Sequence, residues 1–202
     1  MKSALITGIT GQDGTYLANF LLGKGYKVFG GLKKSHTGDF WRLHYVDIYD
    51  KVELLPLDVL DSRDISEALN YSEPNEVYHL AAQSSVSESF SQPLDTSNVT
   101  GYGTVRMLDA IQKFNKKIRF YQASSSEIFG QNYSHAKNEN SRLQPVSPYG
   151  NAKLFAHKTA QQHRESSDMF ISCGILFNHE SPLRGLQFVT RKISNGVARI
   201  SL

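Results

Sequence analysis

Six short apolar runs, near residues 3–8, 27–32, 52–57, 76–81, 117–123 and 170–177, alternate with stretches of helical periodicity, and this alternation constrains the fold more than any other feature of the chain. A run followed by a helix-length stretch cannot be a hairpin. It is a crossover that returns the chain to a neighbouring parallel strand, and a parallel sheet needs helices over both faces. The pattern therefore predicts an α/β fold, a doubly wound parallel sheet, with ligands gathering at the carboxyl ends of its strands. The predicted helices include Thr15 to Leu22, Thr96 to Phe114 with Val99, Val105, Leu108 and Ile111 at helical spacing, and Tyr149 to Arg164. Phe129 to Ser147, rich in Asn, Ser and Pro, reads as a surface loop beside the ligand edge.

The first strand, Leu5-Ile6-Thr7, runs into Gly8, Gly11 and Gly14 and then a helix, so Gly8-Ile9-Thr10-Gly11-Gln12-Asp13-Gly14 reads as a Rossmann-like phosphate cradle. Three glycines in seven residues also occur in plain turns. Beyond the second strand, where an acidic residue would select the ribose of NAD, the chain carries Lys33-Lys34 and later Arg42, cations that favour the 2'-phosphate of NADP unless they form an ordinary solvated turn. Asp58, Val59 and the run Leu80-Ala81-Ala82-Gln83-Ser84 end the next strands and would border the adenine and ribose. His79 has no companions at metal-ligand spacing, so it reads as a packed core side chain and no metal is expected.

The chemistry-bearing segment is Ser147-Pro148-Tyr149-Gly150-Asn151-Ala152-Lys153, which sets a phenol and an ammonium on one helical face, with Ser124-Ser125-Ser126-Glu127 upstream. An ammonium beside the hydroxyl would favour the phenolate and make Tyr149 a general base for an alcohol proton, useful where a hydride acceptor lies near. Glu127 closes a Ser-Ser-x-Glu pattern that resembles a helix capping box.

At 202 residues the chain can bury one good core. Its net charge of +3 is scattered, without the basic, aromatic-interleaved runs of nucleic-acid binders. The single cysteine, Cys173, excludes an internal disulfide and looks like strand packing. With no signal peptide and no membrane-spanning run the cytoplasm is the expected location, and the sequons at Asn98 and Asn132 read as accidental.

G-I-T-G-Q-D-G at 8–14, H-L-A-A-Q-S at 79–84, Y-Q-A-S-S-S-E-I-F-G at 121–130, S-P-Y-G-N-A-K at 147–153, G-I-L-F-N-H-E-S-P-L-R-G at 174–185 and F-V-T-R-K-I at 188–193 together resemble the extended short-chain dehydrogenase/reductases, and within them the GDP-mannose 4,6-dehydratases. The resemblance covers nearly the whole chain. It implies an NADP-binding domain over 1–178, with 179–202 beginning a smaller substrate lobe that is mostly absent. It implies a lyase acting on GDP-mannose: oxidation at carbon 4, loss of water across carbons 5 and 6, and hydride return to carbon 6, giving GDP-4-dehydro-6-deoxymannose on a GDP-fucose or other GDP-deoxyhexose route. In that scheme Ser125 bonds the oxygen at carbon 4, Glu127 moves the carbon 5 proton, and Tyr149 and Lys153 are catalytic, with Lys153 also holding the nicotinamide ribose. His179 and Arg184 would close over the cofactor. Ser84, Ser126, Asn178, Thr190 and Lys192 would meet the nucleotide sugar. A homo-oligomer, dimer or tetramer, is expected, and the alternatives are a non-catalytic NADP-binding remnant or another nucleotide-sugar epimerase or reductase.

Overall fold

Side chains alternate along a strand, so a strand apolar at every position must be covered twice. Ala4, Ile6 and Val28 face one side and Leu5, Phe29 and Val77 the other, all buried. The computed structural model describes residues 1–36, 38–131 and 135–201. The sequon at Asn132 and part of the predicted 129–147 loop lie outside them.

In chain order the elements are β1 (Ser3–Thr7), α1 (Gln12–Gly23), β2 (Lys27–Leu32), α2 (Trp41–Tyr45), a 3-10 turn (Tyr49–Lys51), β3 (Glu53–Pro56), α3 (Ser62–Ser72), β4 (Glu76–His79), α4 (Val86–Ser91) and α5 (Pro93–Thr96). A π-helical segment (Ser97–Tyr102) leads into α6 (Gly103–Phe114), β5 (Arg119–Ser125), a second 3-10 turn (Ser126–Phe129), α7 (Pro148–Ser166), β6 (Ile171–Leu176) and α8 (Val189–Ser201). The six strands form one all-parallel sheet in the order β3-β2-β1-β4-β5-β6. The fold class is thus the predicted doubly wound parallel sheet. Strand order reverses between β1 and β4, and a crevice opens at their carboxyl ends.

One core joins Leu5, Phe29, Val77, Phe120 and Ile171 to Ile65 and Leu69 of α3, Met107, Leu108 and Ile111 of α6, and Ala160 of α7. The opposite core packs Ala4, Ile6 and Val28 against Ala18 and Leu21 of α1 and Leu43 of α2. Local signals end the helices where side chains can satisfy free backbone groups. The Asp61 carboxylate accepts the Arg63 N–H at the start of α3, and the Ser147 hydroxyl accepts the Gly150 N–H at the start of α7, whose first position is Pro148.

The helix predicted from Thr96 to Phe114 is not one α-helix. It carries the π segment at Ser97–Tyr102, where Thr100 turns its hydroxyl to accept the Gln83 N–H at 3.2 Å, and the buried stripe runs through Met107, Leu108 and Ile111 rather than Val105. No residue of α8 is buried, and Val189, Ile193, Val197 and Ile200 stand exposed along it. Among the described residues no helix is long and apolar enough to cross a membrane.

Leu108 is fully buried where α6 meets the sheet. Leu108→Ala is expected to lower the unfolding free energy by about 2–5 kcal/mol, read from the urea midpoint, with no loss of secondary structure at low denaturant.

Candidate active site

A cavity of about 1250 Å³ fills the crevice at the carboxyl ends of β1, β4 and β5. One end of it is the glycine turn after β1. Gly8 has φ +73°, and a Cβ there would lie 2.9 Å from the Ala81 nitrogen, so only glycine lets β1 and the exit of β4 cross this closely. A Cβ on Gly14 would lie 2.8 Å from Ile9 Cα. No side chain caps the start of α1 at Gly11, which leaves the first-turn N–H groups open toward the cavity, the arrangement that suits a pyrophosphate. Gly8, Thr10, Gly11, Gln12, Asp13 and Gly14 line the cavity, whereas the Ile9 side chain is buried in the α1 core.

Beyond β2 and β3, Lys33, His36, Arg42 and Val59 line the wall. Lys34 does not. Its ammonium lies 2.6 Å from Asp64, whose side chain is only 5% exposed, and that hydrogen bond depresses the Asp64 carboxyl and raises Lys34. Asp58 is also outside the lining: its carboxylate accepts the Leu60 N–H at 2.9 Å and its N–H reaches Asp64. Arg42 bridges two segments, donating to the Thr10 carbonyl at 3.1 Å and the Leu183 carbonyl at 2.7 Å.

At the other end, Ser125, Glu127, Tyr149 and Lys153 all line the cavity. Tyr149 and Lys153 share a face of α7 as their spacing predicts, but the ammonium does not sit at the phenol oxygen. It donates to the Ala123 carbonyl at 3.0 Å and lies 5.7 Å from the Tyr149 ring centroid. Burial raises the Tyr149 pKa, with the Ser125 hydroxyl opposing it, so the expectation of a phenol lowered by Lys153 is corrected. Burial likewise lowers Lys153 to about 8, with the Asp13 charge opposing. The Ser125 hydroxyl accepts the Glu127 N–H at 3.2 Å, capping the short turn that carries Glu127 into the cavity. Ser126 lies on the same turn outside the lining. Ser124, which sequence reasoning left without a role, also faces the cavity and meets His157 Nδ1 at 3.0 Å. The signal was present: Tyr149, Lys153 and His157 recur every four residues on one helix.

Leu80 to Ser84 form the wall between the two ends. His79, just before them, is 1% exposed and pushed down to about 3 by burial, a neutral core histidine. Asn178, His179, Arg184 and Lys192 line the cavity, while Thr190 is exposed on α8 outside it. Ser84, Ser85, Ser87, Glu88 and Gln187 border both this cavity and an adjoining one of about 640 Å³. Ser85, Ser87 and Glu88 form the start of α4, where the Ser85 hydroxyl accepts the Glu88 N–H, and Gln187 comes from the loop before α8.

The sequence profile of the family described as GDP-mannose 4,6 dehydratase matches residues 5–202. The chain is 45% identical to GDP-mannose 4,6 dehydratase 2 of Caenorhabditis elegans, over 100% of this chain and 55% of that protein. It is 44% identical to the GDP-mannose 4,6 dehydratase of Homo sapiens, over 98% of this chain and 56% of that protein. The chain therefore spans about half the length of the curated relatives it matches. Among solved structures, the dTDP-glucose 4,6-dehydratase DesIV of Streptomyces venezuelae, with NAD and TYD bound, superposes with a TM-score of 0.87 at 20% identity, covering 98% of this chain and 62% of that one.

A buried lysine with a lowered pKa destabilises the fold at every pH below that value, and the cost is relieved as pH rises toward the unfolded-state value near 10.5. Lys153→Met is expected to stabilise the chain by on the order of 2 kcal/mol at pH 7, allowing for the Ala123 carbonyl left unpaired, with the gain shrinking above pH 8. Urea unfolding of both proteins at neutral and alkaline pH checks this.

Proposed function

This chain belongs to the GDP-mannose 4,6-dehydratase family, and from that membership we propose that it forms the nucleotide-binding and catalytic part of an NADP-dependent enzyme dehydrating GDP-mannose to GDP-4-dehydro-6-deoxymannose. The observation that carries the reading is that Tyr149, Ser125 and Glu127 face one cavity whose far end is the glycine turn and open helix start.

A bound nicotinamide dinucleotide would supply the hydride acceptor and later donor, with positive charge that helps ionise a phenol. Gly8, Gly11, Gly14 and the first turn of α1 would hold its pyrophosphate, and Lys153 its ribose. Tyr149 would take the proton of the hexose 4-hydroxyl while Ser125 bonds the same oxygen. Glu127 would remove the proton from carbon 5, made acidic by a neighbouring carbonyl, and return it to the 6-hydroxyl as that group leaves as water. Asn178 and Lys192 would face the phosphates of the nucleotide sugar, and His179 and Arg184 would close over the dinucleotide. In this reading residues 1–178 are the nucleotide-binding unit and 179–202 open the substrate-binding region. Self-association belongs to the proposal, for which the exposed rings of Tyr102 and Phe155, 5.3 Å apart, offer an apolar patch.

Incubation with NADP and GDP-mannose, followed by mass spectrometry, is expected to show loss of one water from the nucleotide sugar. Retained dinucleotide without any product would support a binding-only chain, and an isomer or reduced sugar would support an epimerase or reductase.

Glu127→Gln is expected to lower product formation by at least about 100-fold while dinucleotide binding, read by fluorescence, persists. Lys33→Glu is expected to weaken NADP by about tenfold more than NAD, whereas Lys34→Glu discriminates less because Asp64 already neutralises Lys34. Equal losses of NADP and NAD in Lys33→Glu would count against the 2'-phosphate reading.

A further inference from the structure

Three side chains, Gln12, Arg42 and Asp13, fasten the segment 179–183 across the glycine turn. The Ser181 hydroxyl donates to Gln12 Oε1 at 2.7 Å, and the Gln12 amide reaches back to the His179 carbonyl at 3.4 Å. Arg42 ties the Leu183 and Thr10 carbonyls together, and Leu183 itself is fully buried. Finally, His179 Nε2 lies 2.7 Å from Asp13 Oδ1, while His179 Nδ1 lies 2.7 Å from the Phe177 carbonyl.

The last contact is chemically distinctive. Both ring nitrogens of His179 face acceptors that carry no proton of their own, so both must be donors, and only the imidazolium has two N–H groups. A neutral ring keeps one contact and turns a lone pair toward the other acceptor. The cross-link from Asp13 to the 179–183 segment is therefore complete only while His179 is charged.

We propose that Gln12, Asp13 and Arg42 are positioning residues that clasp the 179–183 segment over the mouth of the phosphate end, and that loss of the His179 proton loosens this clasp and speeds release of a bound dinucleotide. This rests on the dinucleotide reading above.

The surroundings agree in sign. The Phe177 carbonyl raises the His179 pKa most, burial opposes, and Asp13 raises it further. The charged groups facing the ring are Asp13 on α1, attracting, and Arg184 on the following loop, repelling, with Glu180 3.5 Å from Arg184 and offsetting it. Lys153, on α7, is close enough to feel the charge of Asp13. Because the folded-state value lies above the ordinary one of 6.5, the clasp is whole below about pH 6.5 and is lost as pH rises through the raised value. The two side chains are 45% and 39% exposed, so solvent screening keeps the effect modest.

Two measurements test the clasp. In stopped flow, bound NADPH is chased with excess NADP between about pH 6 and pH 9. Wild-type release is expected to quicken about fivefold across the His179 titration. His179→Gln should release fast throughout, without a step, and Ser181→Ala should release faster than wild type at every pH while keeping the step. A pH-flat wild type, or a wild-type step retained in His179→Gln, overturns the clasp. Separately, ring-nitrogen NMR of the nucleotide-free chain, with His179 assigned by its loss in His179→Gln, should show both nitrogens protonated to a pH above the ordinary histidine value. Titration at or below that value overturns the clasp even if no dinucleotide binds, whereas failure to bind any dinucleotide defeats the cofactor reading instead.

Discussion

The cavity exists because β1 and β4 can end almost in contact. Thr7, the last residue of β1, accepts the Leu80 and Ala81 N–H groups on its hydroxyl at 3.2 and 3.1 Å, and that hydroxyl meets His79 Nδ1 at 2.9 Å. With both lone pairs engaged, its single proton goes to the histidine, which must then carry its own on Nε2. That nitrogen is buried without a partner among the described residues, and burial keeps the ring uncharged. The next residue, Gly8, turns through a positive φ directly under the Ala81 backbone. One hydroxyl and one missing side chain thus set how the glycine turn and the wall at residues 80–84 lie relative to each other. Any residue larger than glycine at position 8 would push them apart.

Two of the cations around this crossing are committed within the chain. Lys34 is matched by Asp64, and Arg42 is absorbed by two backbone carbonyls. Lys153 is the exception in the interior: it gives up hydration for one carbonyl, and its lowered pKa records the imbalance. A folded chain retains such a group when the strain serves the site rather than the fold. The raised phenol of Tyr149 tells the same story from the opposite sign, since both groups ionise most readily when a counter-charge enters the cavity.

The sheet was legible because burial on both faces imposes continuous apolar strands, and the helices between them carry their own start signals, as at Ser147-Pro148 and Asp61. Distances across the fold were not. The π segment depends on Thr100 meeting Gln83, and the commitment of Lys34, in the turn after β2, depends on Asp64, thirty residues away on α3. Spacing correctly phases Tyr149 with Lys153, yet the direction of the ammonium is decided by the Ala123 carbonyl of β5, which no pattern on α7 can reveal. The Ser85-x-x-Glu88 pattern marks the start of α4, but that these residues share the border of the smaller cavity with Gln187 is decided by packing across a hundred residues of chain.

Glu127 shows how a cap and a functional group can be built from one short motif. In a capping box the glutamate would reach back to the chain that precedes it. Here the serine at 125 caps through the Glu127 N–H, and Glu127 itself lines the cavity. The turn is anchored below by the buried Ile128 and Phe129 and above by the start of α7, where a Cβ on Gly150 would come within 2.9 Å of the Glu127 carbonyl. The carboxylate and the phenol of Tyr149 therefore stand on neighbouring backbone segments packed against each other. Their separation is held by that packing, so it does not vary with the side-chain freedom of a surface loop. Two groups that act on neighbouring atoms of one bound molecule, as proposed for this pair, need this kind of fixed spacing, because small errors in alignment cost orders of magnitude in rate.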